Sequence, residues 1–183
     1  MAYKNKTISN PITKQHIRFL KTARDTNGEF LEMEAFYEAN SKEPVAHYHP
    51  SQKEDFVVQE GQLTVKLDGR LKVLHAGETL HIPAGVVHSM WNSSCCKTIV
   101  HWKVTPAMET EYLLETGAGL ASDGKTGKNG MPGILQVALT ATKFNAVYRV
   151  PKPSYVVQRV IFGVLSPLAR VLGYRGSYSK HID

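Results

Sequence analysis

The period of the apolar residues changes once along this chain. Between residues 31 and 104, short stretches alternate polar and apolar side chains or cluster β-branched ones: LEMEAFY, EPVAHYH, EDFVVQ, QLTVKL, KVLH, ETLHIP, VVHSMWN and KTIVHWKV. Turn residues separate them, so each predicts a strand, and many closely spaced strands predict a barrel or sandwich. Asp68-Gly69 predicts a tight hairpin turn between two of them. After Pro106 the period lengthens. METEYLLETGAGLASDG predicts a short helix running into a Gly-rich loop, and ILQVALTATKFNAVYRV a second helix. YVVQRVIFGVLSPLARVL predicts a third, with a kink at Pro167 and a stop at Gly173. Its Val156, Val157, Val160, Ile161, Val164, Leu168, Val171 and Leu172 form one stripe, flanked by Arg159, Arg170 and Arg175. Such a stripe can lie on a membrane surface, but packing on the barrel or on a second subunit is commoner and is the expectation here.

A length of 183 residues, 42% of them hydrophobic, suits one globular domain with an extension. Three segments are expected: residues 1–29 packing on the barrel, the barrel itself over 30–105, and a helical extension over 106–183. No run of about 18 apolar residues occurs, and no apolar region follows the N-terminal lysines, so neither a membrane span nor a secretory signal is expected. Cys95 and Cys96 are adjacent, which gives neither a disulfide framework nor a CxxC pair, and the expected compartment is the cytoplasm. The net charge of +6 is unevenly spread: +4 over residues 1–30, −4 over 31–142 and +6 over 143–183. Terminal basic segments without a recognition motif argue against a nucleic-acid partner.

Chemistry concentrates in the strand region. His47 and His49 are separated by one residue, so on a strand they project to one face about 6.5–7 Å apart. Glu54 opens the following strand with the parity of Phe56 and Val58, which turns its carboxylate inward. His88 follows the turn shaped by Pro83 and Gly85. Three imidazoles and a carboxylate suit one divalent transition metal ion, Fe, Mn, Ni, Cu, Co or Zn, with positions left for water or substrate. Phe56, Val58 and Met90 are expected to wall the substrate pocket. Leu63 and Val65 share the inward parity. His75, His81 and His101 lie at no position of this pattern and are expected at the surface or in hydrogen bonds. Trp91 and Trp102 are expected to pack, and Asn92 to fix the turn after the His88 strand.

These residues resemble the paired motifs of the cupin superfamily. HYHPSQKEDFVVQEG matches the first through His47, His49, Glu54 and Gly61, with Ser41 where the leading glycine belongs. GETLHIPAGVVHSMWN matches the second at every defined position, through Gly77, Pro83, Gly85, His88 and Asn92. The resemblance covers about residues 30–105. It implies a mainly β fold, a double-stranded β-helix or cupin jelly-roll barrel with C-terminal α-helices, and a metal held in its mouth by His47, His49, Glu54 and His88. It also implies a small single-domain protein that pairs as a homodimer.

Cupins host many chemistries, so function must come from the site. The expected function is a mononuclear metalloenzyme, dioxygenase-like or isomerase-like, acting on a small, rather apolar molecule with Glu54 as ligand and catalytic base. The motifs place no Lys or Arg inward, which argues against a phosphosugar. The alternative is a non-catalytic cupin module that binds a small molecule or a partner. A storage protein ranks last.

Overall fold

In a computed structural model of the chain, which describes residues 2–178, 180 and 182, the alternation of the central region becomes seven strands, and two more precede them. These are β1 (Thr7–Asn10), β2 (Gln15–Lys21), β3 (Leu31–Tyr37), β4 (Lys53–Glu60), β5 (Gln62–Leu67), β6 (Arg70–His75), β7 (Thr79–Ile82), β8 (His88–Trp91) and β9 (Thr98–Thr105). They form two antiparallel sheets, ordered β1-β2-β3-β9-β4-β7 and β6-β5-β8. The fold is mainly β, a jelly roll with three C-terminal helices: α1 (Thr110–Ser122), α2 (Ile134–Lys143) and α3 (Tyr155–Val171).

Period-2 burial builds the core. Leu31, Met33, Ala35 and Tyr37 of β3 point inward, opposite Val104, Trp102, Val100 and Thr98 of β9. On the other side of β9, Glu54 pairs with Val104 and Phe56 with Trp102. Glu54 therefore occupies an inward position on a central strand, among apolar neighbours that give a carboxylate no water. The smaller sheet brings Leu63 and Val65 into the same core, with Val65 opposite Met90 and Leu67 opposite His88. Residues 7–21, which carried no strand prediction, supply β1 and β2 and contribute Ile17 and Phe19 to the core.

Two further local expectations change. EPVAHYH is not a continuous strand: only His47 and Tyr48 make bridges, to His88 and to Arg149. Pro44 and Pro50 bracket the segment and lack the N–H groups that a longer ladder requires. Ser41, in place of the leading glycine, causes no strain, because the positive φ of this turn falls on Asn40, at 50°. The Ser41 hydroxyl instead accepts a hydrogen bond from the Asn92 backbone N–H at 2.8 Å.

The third helix also departs from expectation. Its apolar stripe does not pack on the barrel: Val156, Val157, Val160, Ile161, Val164, Leu168, Val171 and Leu172 are all exposed. Gln158, Ser166 and Ala169 are the buried residues. Gln158 satisfies its amide by donating to the carbonyls of Val150 and Pro153, at 2.9 and 2.6 Å. The helix continues through Pro167. Pro167 leaves the carbonyl four residues back, that of Gly163, without its helical donor, and both residues lie where water reaches them.

Candidate metal centre

Four side chains converge from three places in the chain. His47 and His49 come from the bridge segment, Glu54 from β4 and His88 from the start of β8. The peptides of His47 and His88 bond reciprocally, at 2.9 and 2.8 Å, which holds the two ligand segments side by side. One ring nitrogen from each of the three histidines lies within 4.8 Å of the other two.

The tautomers follow from the partners of Nδ1. His47 Nδ1 lies 3.1 Å from the Val45 carbonyl, His88 Nδ1 3.0 Å from that of Val86 and His49 Nδ1 2.6 Å from that of Val147. A carbonyl only accepts, so each neutral ring carries its proton on Nδ1 and keeps the Nε2 lone pair for the interior. This is the arrangement that orients and strengthens imidazole ligands. The Glu54 carboxylate completes the group, with Oε1 3.3 Å from His49 Nε2 and Oε2 2.9 Å from His88 Nε2. Trp102 donates its indole N–H to Glu54 Oε1 at 3.0 Å. Among the described residues, His49 Nε2 and Glu54 Oε2 are buried polar atoms without an aligned hydrogen bond. Orphaned lone pairs of this kind are costly to bury unless a cation receives them, so the donor set fits a divalent metal ion.

The electrostatics agree. Burial, reinforced by the charges of His88 and His49, pushes the His47 pKa down to about 3, so His47 stays neutral. Burial alone would lower the pKa of His49, but the Glu54 carboxylate 3.3 Å from its Nε2 overrides it and raises the value. For Glu54 burial acts upward, and the two imidazoles beside it more than cancel that and hold the carboxyl well below its usual range.

A cavity of about 650 Å³ opens from these four residues. Phe56 and Met90 border it, whereas Val58, further along β4, is fully buried in the core and is not part of the cavity wall. The helices close the other side, with Leu113, Val137 and Phe162 among the lining residues. Arg149 and Arg159 also line it, so the extension brings cationic groups that the barrel motifs lack. His81 and His101 are surface residues paired with Asp55 and Glu32, at 2.6 and 2.9 Å, and His75 is exposed.

Three participants escaped the reading of the sequence. Trp102, expected only to pack, stacks on Phe56 at 5.7 Å and also anchors Glu54; its parity with Val100 and Val104 was the available clue. Tyr148 stacks on His47, 4.5 Å between ring centroids, and no feature of the sequence pairs the two. The Val147 carbonyl is invisible to any side-chain motif.

Residues 34–102 match the family described as Cupin domain. Quercetin 2,3-dioxygenase of Bacillus subtilis is 35% identical over 72 residues, which are 39% of this chain and 21% of that protein. Among solved structures, an RmlC-like cupin from Shewanella frigidimarina aligns with a TM-score of 0.49 and 23% identity, covering 61% of this chain and 94% of the other. A cupin-like protein from Thermotoga maritima aligns with a TM-score of 0.45 and 19% identity, over 52% and 70% of the two chains. With the jelly roll and both motifs in place, residues 34–102 of this chain form a cupin domain.

Proposed function

We propose that this chain is a mononuclear metal-dependent enzyme acting on a small, largely apolar substrate, with His47, His49, Glu54 and His88 as ligands. The observation that carries the reading is the set of three Nδ1–carbonyl bonds, which leave the Nε2 lone pairs of three clustered histidines available beside a buried carboxylate and an apolar cavity. When bound, a divalent ion there supplies Lewis acidity and, if redox-active, electron exchange.

The chain's own groups divide the remaining work. Trp102 fixes one oxygen of Glu54 and leaves the other facing His88, so the carboxylate is held in one orientation and is ionised, as a metal ligand must be. Phe56, Met90, Leu113 and Phe162 exclude water and favour an apolar or aromatic substrate. Arg149, its guanidinium laid over the Tyr155 ring at 3.7 Å, and Arg159 offer positive charge to an enolate or carboxylate substituent. The relative named quercetin 2,3-dioxygenase supports a dioxygenase-like reaction ahead of an isomerase-like one.

The test is elemental analysis of the purified chain beside its His47→Ala/His49→Ala variant, followed by oxygen-uptake assays on enolisable aromatic compounds. The expected result is an equivalent of a redox-active metal that the variant loses, with oxygen consumed only by the loaded protein. Stoichiometric zinc would move the reaction to the isomerase class. Absence of metal after reconstitution would overturn the enzyme reading in favour of a non-catalytic binding module.

A further inference from the structure

Helix α3 is turned inside out relative to an ordinary surface helix. Its polar and small residues Gln158, Ser166 and Ala169 face the fold, while Val156, Val160, Val164 and Val171 are 71%, 64%, 72% and 85% exposed. With Val157, Ile161, Leu168 and Leu172 they make a continuous apolar strip along a helix about 25 Å long. A strip of this size is not left in water without a partner.

The charge around the strip selects that partner. From Gly124 to Ile182 the chain has nine Lys or Arg and no Asp or Glu. Lys152, Arg159, Arg170 and Arg175 are exposed at the start, flank and end of α3. A second copy related by a two-fold axis would set this basic rim against itself, with no acidic side chain of the same segment to neutralise it. An anionic bilayer offers both complements: acyl chains for the strip and phosphates for the rim. No helix among the described residues is long and apolar enough to cross a membrane, so α3 would lie in the interfacial plane.

We propose that the outer face of α3 docks this protein on an anionic lipid bilayer. The inner side of the same helix, through Gln158 and Phe162, lines the metal-side cavity, so docking brings a wall of that cavity to the lipid surface and suits a substrate that partitions into membranes. This last consequence rests on the proposed function; the docking does not.

The experiment is flotation of the full chain with vesicles of equimolar phosphatidylcholine and phosphatidylglycerol, against phosphatidylcholine alone, with sedimentation velocity in parallel. The chain should float with the anionic vesicles, and added salt should weaken binding. Each basic residue near the surface contributes about fivefold, so Arg170→Gln/Arg175→Gln should weaken binding roughly 25-fold. Val160→Asp/Val164→Asp alters only exposed positions and should leave melting temperature and metal content unchanged while reducing binding by roughly a hundredfold. Failure to float on anionic vesicles, or undiminished flotation of the Asp variant, would overturn the proposal. So would self-association of the wild-type chain that the Asp variant abolishes without any vesicle binding, since that assigns the strip to a second copy. Metal content is read separately, so an empty site defeats the enzyme reading and leaves docking standing.

Discussion

Replacing Trp102 by Phe separates two things the indole does. The ring packs in the core against Phe56, and Phe preserves most of that contact. The N–H holds Glu54 Oε1 at 3.0 Å, and Phe removes it. Glu54 is almost fully buried, and the indole N–H is the aligned donor on Oε1, so the bond is charge-assisted and shielded from water; it is worth about 1.5–3 kcal/mol. The smaller ring adds a cavity cost of about 1 kcal/mol. The metal-free variant should therefore lose about 3 kcal/mol in denaturant unfolding. A double-mutant cycle with Glu54→Leu isolates the bond, because the second substitution deletes the acceptor. Trp102→Phe in the Glu54→Leu background should cost only the cavity part, which gives a coupling near 2 kcal/mol. Metal affinity of the single variant, measured against a chromophoric chelator, should fall ten- to a hundredfold as the carboxylate loses its fixed orientation. A coupling below about 0.5 kcal/mol, with affinity unchanged, would refute the role given to the indole.

Metal binding should weaken in mild acid. The pKa of His49 is raised above the ordinary imidazole value of about 6.5, so its proton competes with a cation from above that pH downward, while the low pKa of His47 keeps that ring out of the competition. Affinity should drop by about tenfold per pH unit below the raised value, and competition titrations that show a flat profile from neutral to mildly acid pH would contradict it. In the metal-free chain the sign is opposite for the His49 contribution to stability: it is complete below about 6.5 and is lost as pH rises through the raised value. Asn92→Ala should destabilise the fold by about 3 kcal/mol in thermal or urea unfolding, because the buried amide bonds the carbonyls of Tyr37, Glu38 and Cys96 and receives the N–H and hydroxyl of Ser94. A loss under about 1 kcal/mol would mean that the turn does not depend on it.

The barrel was legible because its constraints are local. Alternation in LEMEAFY and KTIVHWKV, glycines such as Gly61 and Gly77 at positive φ, and histidines at fixed spacings record strand faces and turns within a few residues of one another. Gly61 shows why such a position admits no side chain: an added Cβ would sit 2.5 Å from the Lys97 carbonyl. What remained hidden depends on long-range contact. The pairing of β1 with β2 has a weak pattern of its own, with burial at Ile17 and Phe19 only. Tyr148 meets His47 across about a hundred residues of chain, and the outward face of α3 follows from which side docks on α2, a choice that hydrophobic periodicity alone assigns the wrong way round.

The bond from His49 Nδ1 to the Val147 carbonyl spans 98 positions of sequence and ends on a main-chain atom. One ligand of the candidate centre is thus steered by the path of the backbone after α2, whatever side chains stand there. Lengthening or shortening the connection between α1 and Val147 by a residue would swing an imidazole while every ligand stayed in place. Homologues that keep both barrel motifs but differ in this connection can therefore differ in the reactivity of an identical ligand set. The extension acts as a tuning element, and transplanting the barrel without it would carry over the ligands but not their aim.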